Sequence, residues 1–161
     1  GDIVIVRAAT SEDAATIAAI WNPQILDTVV TFNSVPKSDH EIADLIAQRP
    51  CFLVVETEGK TVGFASYDQF RGGIGYAHAM EHTIILAPEA SGRGAGRELM
   101  RALMDHARAA AVHTLWAGVS AENSAGVAFH SALGFKTVAV LPEVGRKFER
   151  WMDLVLMQKR L

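Results

Sequence analysis

Cysteine is almost absent: Cys51 stands alone among 161 residues. No disulfide can form within the chain, and a disulfide-stapled scaffold is excluded. The thiol falls in the run Cys51-Phe52-Leu53-Val54-Val55 and reads as an inert buried group. No apolar run approaches the ~20 residues that a membrane-spanning helix needs. No signal-peptide pattern opens the chain, so a cytoplasmic protein is the simplest expectation. Gly1 stands where Met is usual and reads as the mark of tag removal or processing. Positive charge is not in excess: 15 Lys and Arg face 18 Asp and Glu, for a net charge of -3. The arginines are scattered and form no basic stripe, which argues against nucleic acid as a partner. Repeats, linkers and low-complexity segments are also lacking. With 50% hydrophobic and 20% charged residues, the composition is that of an ordinary globular protein. The length suits one domain over residues 1–161 with one sizeable core.

What is present centres on one stretch, Met80 to Met104. Thr83-Ile84-Ile85-Leu86 is a short run rich in β-branched residues, which suits a buried strand. Ser91-Gly92-Arg93-Gly94-Ala95-Gly96 then brings three glycines into six residues. From Arg97, Leu99, Met100, Leu103 and Met104 recur at helical spacing. Glycines let a backbone approach a ligand without a Cβ in the way. The first N–H groups of the helix that follows lack partners and point outward. Together they make an anion site suited to a phosphate or pyrophosphate, with Arg93 and Arg97 adding charge. The plainer alternative is a tight loop that only starts a helix. A P-loop fits poorly, because Gly96-Arg97-Glu98 lacks the Lys-Ser/Thr ending. The dinucleotide fingerprint also fits poorly: the third glycine comes one residue early, and the strand at Thr114 to Val119 ends in Val-Ser rather than an acid.

Along the rest of the chain, Ile3 to Arg7 reads as a strand. Thr10 caps a helix that runs through Ile17 and Ile20 to about Asn22, before Pro23. Ile25 to Asn33 reads either as extended chain or as a loop over a pocket. Ser38 and Glu41 form a capping box for a helix to about Gln48. Phe52 to Thr57 and Thr61 to Tyr67 read as a hairpin. Asp68 to His78 is a loop or a glycine-interrupted strand. Ala121 starts a helix to about Leu133, with Gly134 closing it. Phe135 to Leu141 and Phe148 to Met157 are the last strands, with a turn at Pro142 to Gly145. Trp116 and Trp151 are read as core. An antiparallel group of strands followed by alternating helices and strands predicts an α/β mixed sheet with helices on both faces.

Several segments resemble the GNAT N-acetyltransferases. The glycine turn is similar to their acetyl-CoA pyrophosphate loop, Gln/Arg-x-x-Gly-x-Gly/Ala, with Ser91 in the place of the usual Arg or Gln. Asn123 to Phe135 resembles the Asn-x-x-Ala/Ser-x-x-x-Tyr/His-x-x-x-Gly-Phe signature. Val144-Gly145-Arg146-Lys147-Phe148-Glu149-Arg150-Trp151-Met152-Asp153 looks like the corresponding segment of the phosphinothricin acetyltransferase branch. Glu81-His82-Thr83, Trp21-Asn22-Pro23 and Thr31-Phe32 also match that branch.

The resemblance implies direct transfer of acetyl from acetyl-CoA to the α-amine of a small amino acid or analogue, such as phosphinothricin or methionine sulfoximine. It implies that backbone groups of Ile84, Ile85 and Leu86 pair with the pantetheine arm. The N–H groups of Arg93, Gly94, Ala95, Gly96 and Arg97 hold the pyrophosphate, Asn123 bonds the pantetheine, and the Leu86 N–H serves the thioester oxyanion. An ammonium must lose a proton before it attacks, so a base is required. Glu81, partly desolvated at a strand head, suits that role. His130 stands where many relatives carry Tyr, as partner base or as donor to the sulfur. A lone Glu at a strand head is otherwise a solvated residue, a lone helical His otherwise structural, and His82 is read as structural because neighbouring strand residues face opposite ways. Arg71 is the expected anchor for the substrate carboxylate, with Phe32, Gly75, Tyr76 and Lys147 around it. Ile74 stands where a polar residue is common. No metal is expected, since His78, His82 and His130 match no standard spacing. A homodimer is expected by analogy, with Val29 to Phe32 as an apolar contact.

Overall fold

The computed structural model describes residues 3–161; the reading of Gly1 lies outside the described residues. The chain follows the order β1 (Val4–Ala8), α1 (Ala14–Asp27), α2 (Asp39–Gln48), β2 (Cys51–Thr57), β3 (Lys60–Gln69), β4 (Ala79–Leu86), α3 (Ala95–Ala109), β5 (Thr114–Ser120), α4 (Ser124–Ala132), β6 (Lys136–Lys147) and β7 (Arg150–Arg160). These strands make one seven-stranded sheet in the order β1-β2-β3-β4-β5-β7-β6. The β4–β5 contact is parallel and the others are antiparallel.

Side-chain alternation divides the core into two layers. Phe52 and Val54 of β2, Phe64 of β3 and Ile85 of β4 pack on Ile17, Trp21 and Ile25 of α1 and Ile42 of α2. Cys51, Val55, Ala65 and Tyr67 face the other way, onto Leu99, Met100 and Leu103 of α3. Each fully buried Val, Ile, Leu, Phe or Met among them contributes about 1.5–3 kcal/mol. Burial also holds the Cys51 thiol protonated, pushed up to about 12, in keeping with an inert core group. No helix among the described residues is long and apolar enough to cross a membrane.

Element ends depart from the sequence pattern where packing overrides local signals. The sequence places the end of α1 near Asn22; the helix runs to Asp27 with Pro23 inside it. Ile25 lies two residues beyond the proline and is fully buried beside Ile17 and Trp21, and that burial outweighs one missing donor. Thr28 to Phe32 is a loop. Helix α3 begins at Ala95, two residues before Arg97, and α4 begins at Ser124 with Asn123 as its cap. The strand before α3 is longer than its apolar run, starting at Ala79. Residues between Gln69 and Ala79 form a loop with one short turn of helix at Ile74–Tyr76.

The expected turn at Pro142 to Gly145 is instead an irregularity within β6, and the chain reverses at Phe148-Glu149. Both of those residues have positive φ, 53° and 62°. Such a reversal normally carries Asn or Gly, so its sequence signal is missing. Trp151, on this hairpin, is 58% exposed rather than core, with Arg146 stacked 4.6 Å from its ring. Trp116 is half-buried against Phe70, ring centres 4.8 Å apart.

The break between β4 and β5 matters most for the site. Their pairing spans only Ala79↔Thr114 to Glu81↔Trp116. Beyond it β4 stays with β3 as far as Leu86, and β5 stays with β7 as far as Ser120. The two halves of the sheet therefore part after Glu81 and leave a wedge at its centre.

Candidate active site

The wedge opens into a cavity of roughly 1380 Å³. One wall is β4 from Glu81 to Leu86 and another is β5 from Ala117 to Ser120. The glycine turn, Asn123 and His130 close one side, and Trp21, Phe32 and Arg49 the other.

Which backbone groups face the wedge follows from two hydrogen bonds. Ala87 N–H donates to Val62 O at 2.7 Å, and Phe70 N–H donates to Ala79 O at 2.9 Å. Odd-numbered residues of β4 thus turn their backbone groups to β3, and even-numbered ones turn theirs to the β5 side. Ile84 and Leu86 accordingly present main-chain groups to the wedge. Ile85 does not: its backbone belongs to β3 and its side chain to the core, so its expected pairing with an incoming ligand is corrected. The Leu86 carbonyl accepts from Gln24 Nε2 at 2.8 Å, which leaves the Leu86 N–H as the group on offer.

The glycine turn ends at Gly94, the residue before α3, with φ 75° and ψ 5°. A side chain there is strained, which accounts for glycine at this position. The first helical bond runs from Glu98 N–H to Gly94 O at 3.1 Å. The N–H groups of Ala95, Gly96 and Arg97 are left at the helix mouth on the cavity wall. Arg93 N–H instead bonds Ala90 O at 3.4 Å, and its guanidinium pairs with Glu58 at 3.1 Å. Gly96 is a packing position as well, because a Cβ would stand 2.9 Å from Leu86 and 3.0 Å from Phe129. Asn123 caps α4 by accepting from Gly126 N–H at 2.9 Å, and its amide nitrogen remains as a donor on the cavity side.

Glu81 stands where the strands part. The residue is solvent-exposed towards the cavity, and the partial burial of its carboxylate against the sheet raises its pKa above the ordinary carboxylate value. Oε2 lies over Gly118, 3.0 Å from where a Cβ would be.

His130 lies on the opposite face of β4. Its Nδ1 is 2.8 Å from Gly126 O, which only accepts, so Nδ1 carries the proton. Its Nε2 meets His82 Nε2 at 2.9 Å. Both imidazole nitrogens are therefore engaged, and burial lowers the ring's pKa. A direct role as base or as donor to sulfur would require one of these two bonds to open. The pair instead ties α4 to β4 across the wedge.

The acceptor side differs more from the sequence reading. Phe32 lines the cavity. It lies so close to Gly145 that any Cβ there would collide with its ring. Lys147 does not line the cavity; it is buried behind the Phe32 loop and donates to Thr31 O at 2.7 Å. Arg71, Ile74, Gly75 and Tyr76 are exposed and outside the cavity wall of the single chain. Arg71 stacks 5.6 Å from the Tyr76 ring. This loop is tied to the rim through Gln69, whose Nε2 donates to Arg71 O and Gly73 O, each at 2.7 Å. Arg49, Asp68, Gln69 and Gln24 do line the cavity. No local pattern marks any of them, since each reaches the site only through sheet pairing or helix docking.

A wedge with outward backbone donors, a helix start whose first N–H groups face it and a carboxylate of raised pKa suits an acyl carrier and an amine. The model of the Acetyltransferase (GNAT) family matches residues 17–135. The chain belongs to this family. The L-amino acid N-acyltransferase MnaT of Escherichia coli (strain K12) is 37% identical over 160 residues, covering 97% of this chain and 93% of that one. The L-methionine sulfoximine/L-methionine sulfone acetyltransferase of Salmonella typhimurium (strain LT2) is 35% identical, with 97% and 94% covered. Among solved GNAT structures, a ribosomal-protein-alanine N-acetyltransferase from Brucella melitensis superposes with TM-score 0.93 at 37% identity, covering 98% of this chain and 99% of that one. A phosphinothricin acetyltransferase from Sinorhizobium meliloti, in complex with acetyl-CoA, superposes with TM-score 0.92 at 29% identity, with 98% and 88% covered. The GNAT fold and acetyl-CoA-dependent N-acetyl transfer thus stand for this chain.

Proposed function

We propose that the protein acetylates the α-amine of a small amino acid or close analogue, of the methionine sulfoximine, methionine sulfone or phosphinothricin type, in one ternary complex. The observation that carries this reading is the Glu81 carboxylate, open to the cavity at the point where β4 and β5 part, with partial burial raising its pKa. The names of the relatives above point to the same substrate class.

The residues divide the work as follows. Ile84 and Leu86 hold the pantetheine arm along β4, helped by Asn123. The N–H groups of Ala95, Gly96 and Arg97 hold the pyrophosphate. Glu81 takes a proton from the substrate ammonium, directly or through one water, and frees the nitrogen lone pair. The nitrogen then bonds to the thioester carbon, and the Leu86 N–H stabilises the oxyanion that forms. The nitrogen gives its second proton to water as the C–S bond breaks, the departing thiolate takes one proton back from water, and Glu81 returns its own to solvent after product leaves. Neutral His130 stays bonded to Gly126 and His82 and keeps α4 at its distance from β4.

Thiol release measured with acetyl-CoA and each of these amines tests the reading. Release well above the acetyl-CoA blank with at least one of them is expected; release at the blank rate with all would overturn it. The protein works as a homodimer in this reading. Its support is the apolar surface of the β6–β7 hairpin, where Val138, Val140, Val144, Phe148 and Trp151 are each at least 50% exposed. Of the expected contact segment, Phe32 instead belongs to the cavity wall. Light scattering behind a sizing column would measure one chain mass or two.

A further inference from the structure

Arg49 is the cavity-lining cation of the acceptor side among the described residues, and the reaction above does not use its charge. It caps the C-terminus of α2 in extended conformation, φ -74° and ψ 143°, held so by Pro50. Its N–H donates to Leu45 O at 2.9 Å. One guanidinium nitrogen donates to the fully buried Ser66 hydroxyl at 2.6 Å, which fixes the head group against the sheet. Among the described residues no carboxylate pairs with it directly. Asp68 acts on it only through space, while burial opposes its charge. A half-buried guanidinium with unused donors turned to a cavity is costly unless an anion completes it.

The position of that anion follows from the strand register. Ser66 lies opposite Thr83, and Asp68 lies opposite Glu81. Ser66, Thr83 and Glu81 therefore share the face of the sheet that carries α1 and α2, and Ser66 is diagonal to Glu81. Diagonal neighbours across a strand pair lie roughly 7–8 Å apart. That backbone separation puts the Glu81 side chain and the Ser66 hydroxyl that holds Arg49 on neighbouring parts of one cavity wall, the scale of a single α-amino acid. An amine placed at Glu81 would bring its own carboxylate to Arg49.

We propose that Arg49 binds the α-carboxylate of the acceptor, and that the chain thereby selects amino acids over amines without a carboxyl group. Arg71, stacked on Tyr76 outside the cavity wall, does not supply this contact within the single chain. The assignment rests on the amino-acid reading above.

The test compares L-methionine sulfone with the amine left when its carboxyl group is removed, using the full chain and its Arg49→Met, Arg49→Lys and Arg71→Met variants. Arg49→Met should cut kcat/KM for the amino acid at least about tenfold, mostly through KM, since hydrogen bonds to charged groups are of that strength. Turnover of the carboxyl-free amine and acetyl-CoA affinity by calorimetry should not change. Arg49→Lys keeps the charge without the planar fork and should fall between. Parallel loss on both acceptors would overturn the proposal, as would no loss on either. A selective loss in Arg71→Met but not in Arg49→Met would overturn it too. A wild-type chain that acetylates neither compound would instead bring down the amino-acid reading beneath it.

Discussion

The paired histidines make acid stability a test of the wedge. Because Gly126 O fixes the proton of His130 on Nδ1, His130 Nε2 accepts and His82 Nε2–H donates. His82 Nδ1 is then a bare lone pair, buried and without a partner of hydrogen-bond geometry. A second proton would have to enter that dry space beside another imidazole. Burial first, and the neighbouring His130 second, press the His82 pKa down to about 3. The Trp116 backbone near the ring offsets this only in part.

In the unfolded chain His82 titrates near its ordinary value of about 6.5. Between the two values the unfolded state binds more protons, so the folded state loses ground as the pH falls from about 6.5 towards 3. At pH 5 the loss from this one group is about 2 kcal/mol, from 1.36 kcal/mol per unit over about 1.5 units. That is a large part of a typical stability of about 5–15 kcal/mol. Urea unfolding of wild type and His82→Gln at pH 7 and pH 5 measures it. Gln still offers an N–H to His130 but does not titrate, and every other group is common to both proteins. Wild type should lose about 2 kcal/mol more than the variant between the two pH values. Equal losses would refute the buried neutral pair, and with it the tie between α4 and β4.

Other perturbations address other parts of the site. Glu81→Gln should lower kcat by about 10²–10⁴-fold with acetyl-CoA affinity unchanged; in the wild type, kcat/KM should rise with pH through an apparent pKa above the ordinary Glu value, because desolvation raises Glu81. Gly145→Ala must displace the Phe32 ring, so KM for the acceptor should rise more than KM for acetyl-CoA in steady-state kinetics. Gly94→Ala places a side chain at φ 75° and should cost about 1 kcal/mol in urea unfolding while weakening acetyl-CoA binding by calorimetry. Gln24→Leu removes the donor to the Leu86 carbonyl and should lower kcat without a matching change in acetyl-CoA affinity.

Local chemistry made much of this protein readable before any contact was known. Three glycines before an amphipathic helix mark a backbone turn into a helix start, and helix starts leave N–H groups without intrahelical partners wherever they occur. The apolar period of α3, the capping box of α2 and the β-branched run of β4 fix those elements for similarly local reasons. The charge balance and the lone Cys51 narrowed the class of partners and scaffolds.

Tertiary structure decided whatever depends on which strand lies beside which. The wedge exists because β4 keeps β3 and β5 keeps β7, and no residue within β4 announces that parting. Pairing parity assigns Ile84 and Leu86 to the ligand side and Ile85 to the core, and it sets Glu81 and His82 on opposite faces. His130 is bonded at both nitrogens by groups four and 48 residues away, a condition invisible in its own segment. Arg49 reaches Ser66 across 17 residues, and Lys147 reaches Thr31 across 116. Sequence periodicity reports which face of an element is buried, but the partner on that face is set by the packing of the whole sheet.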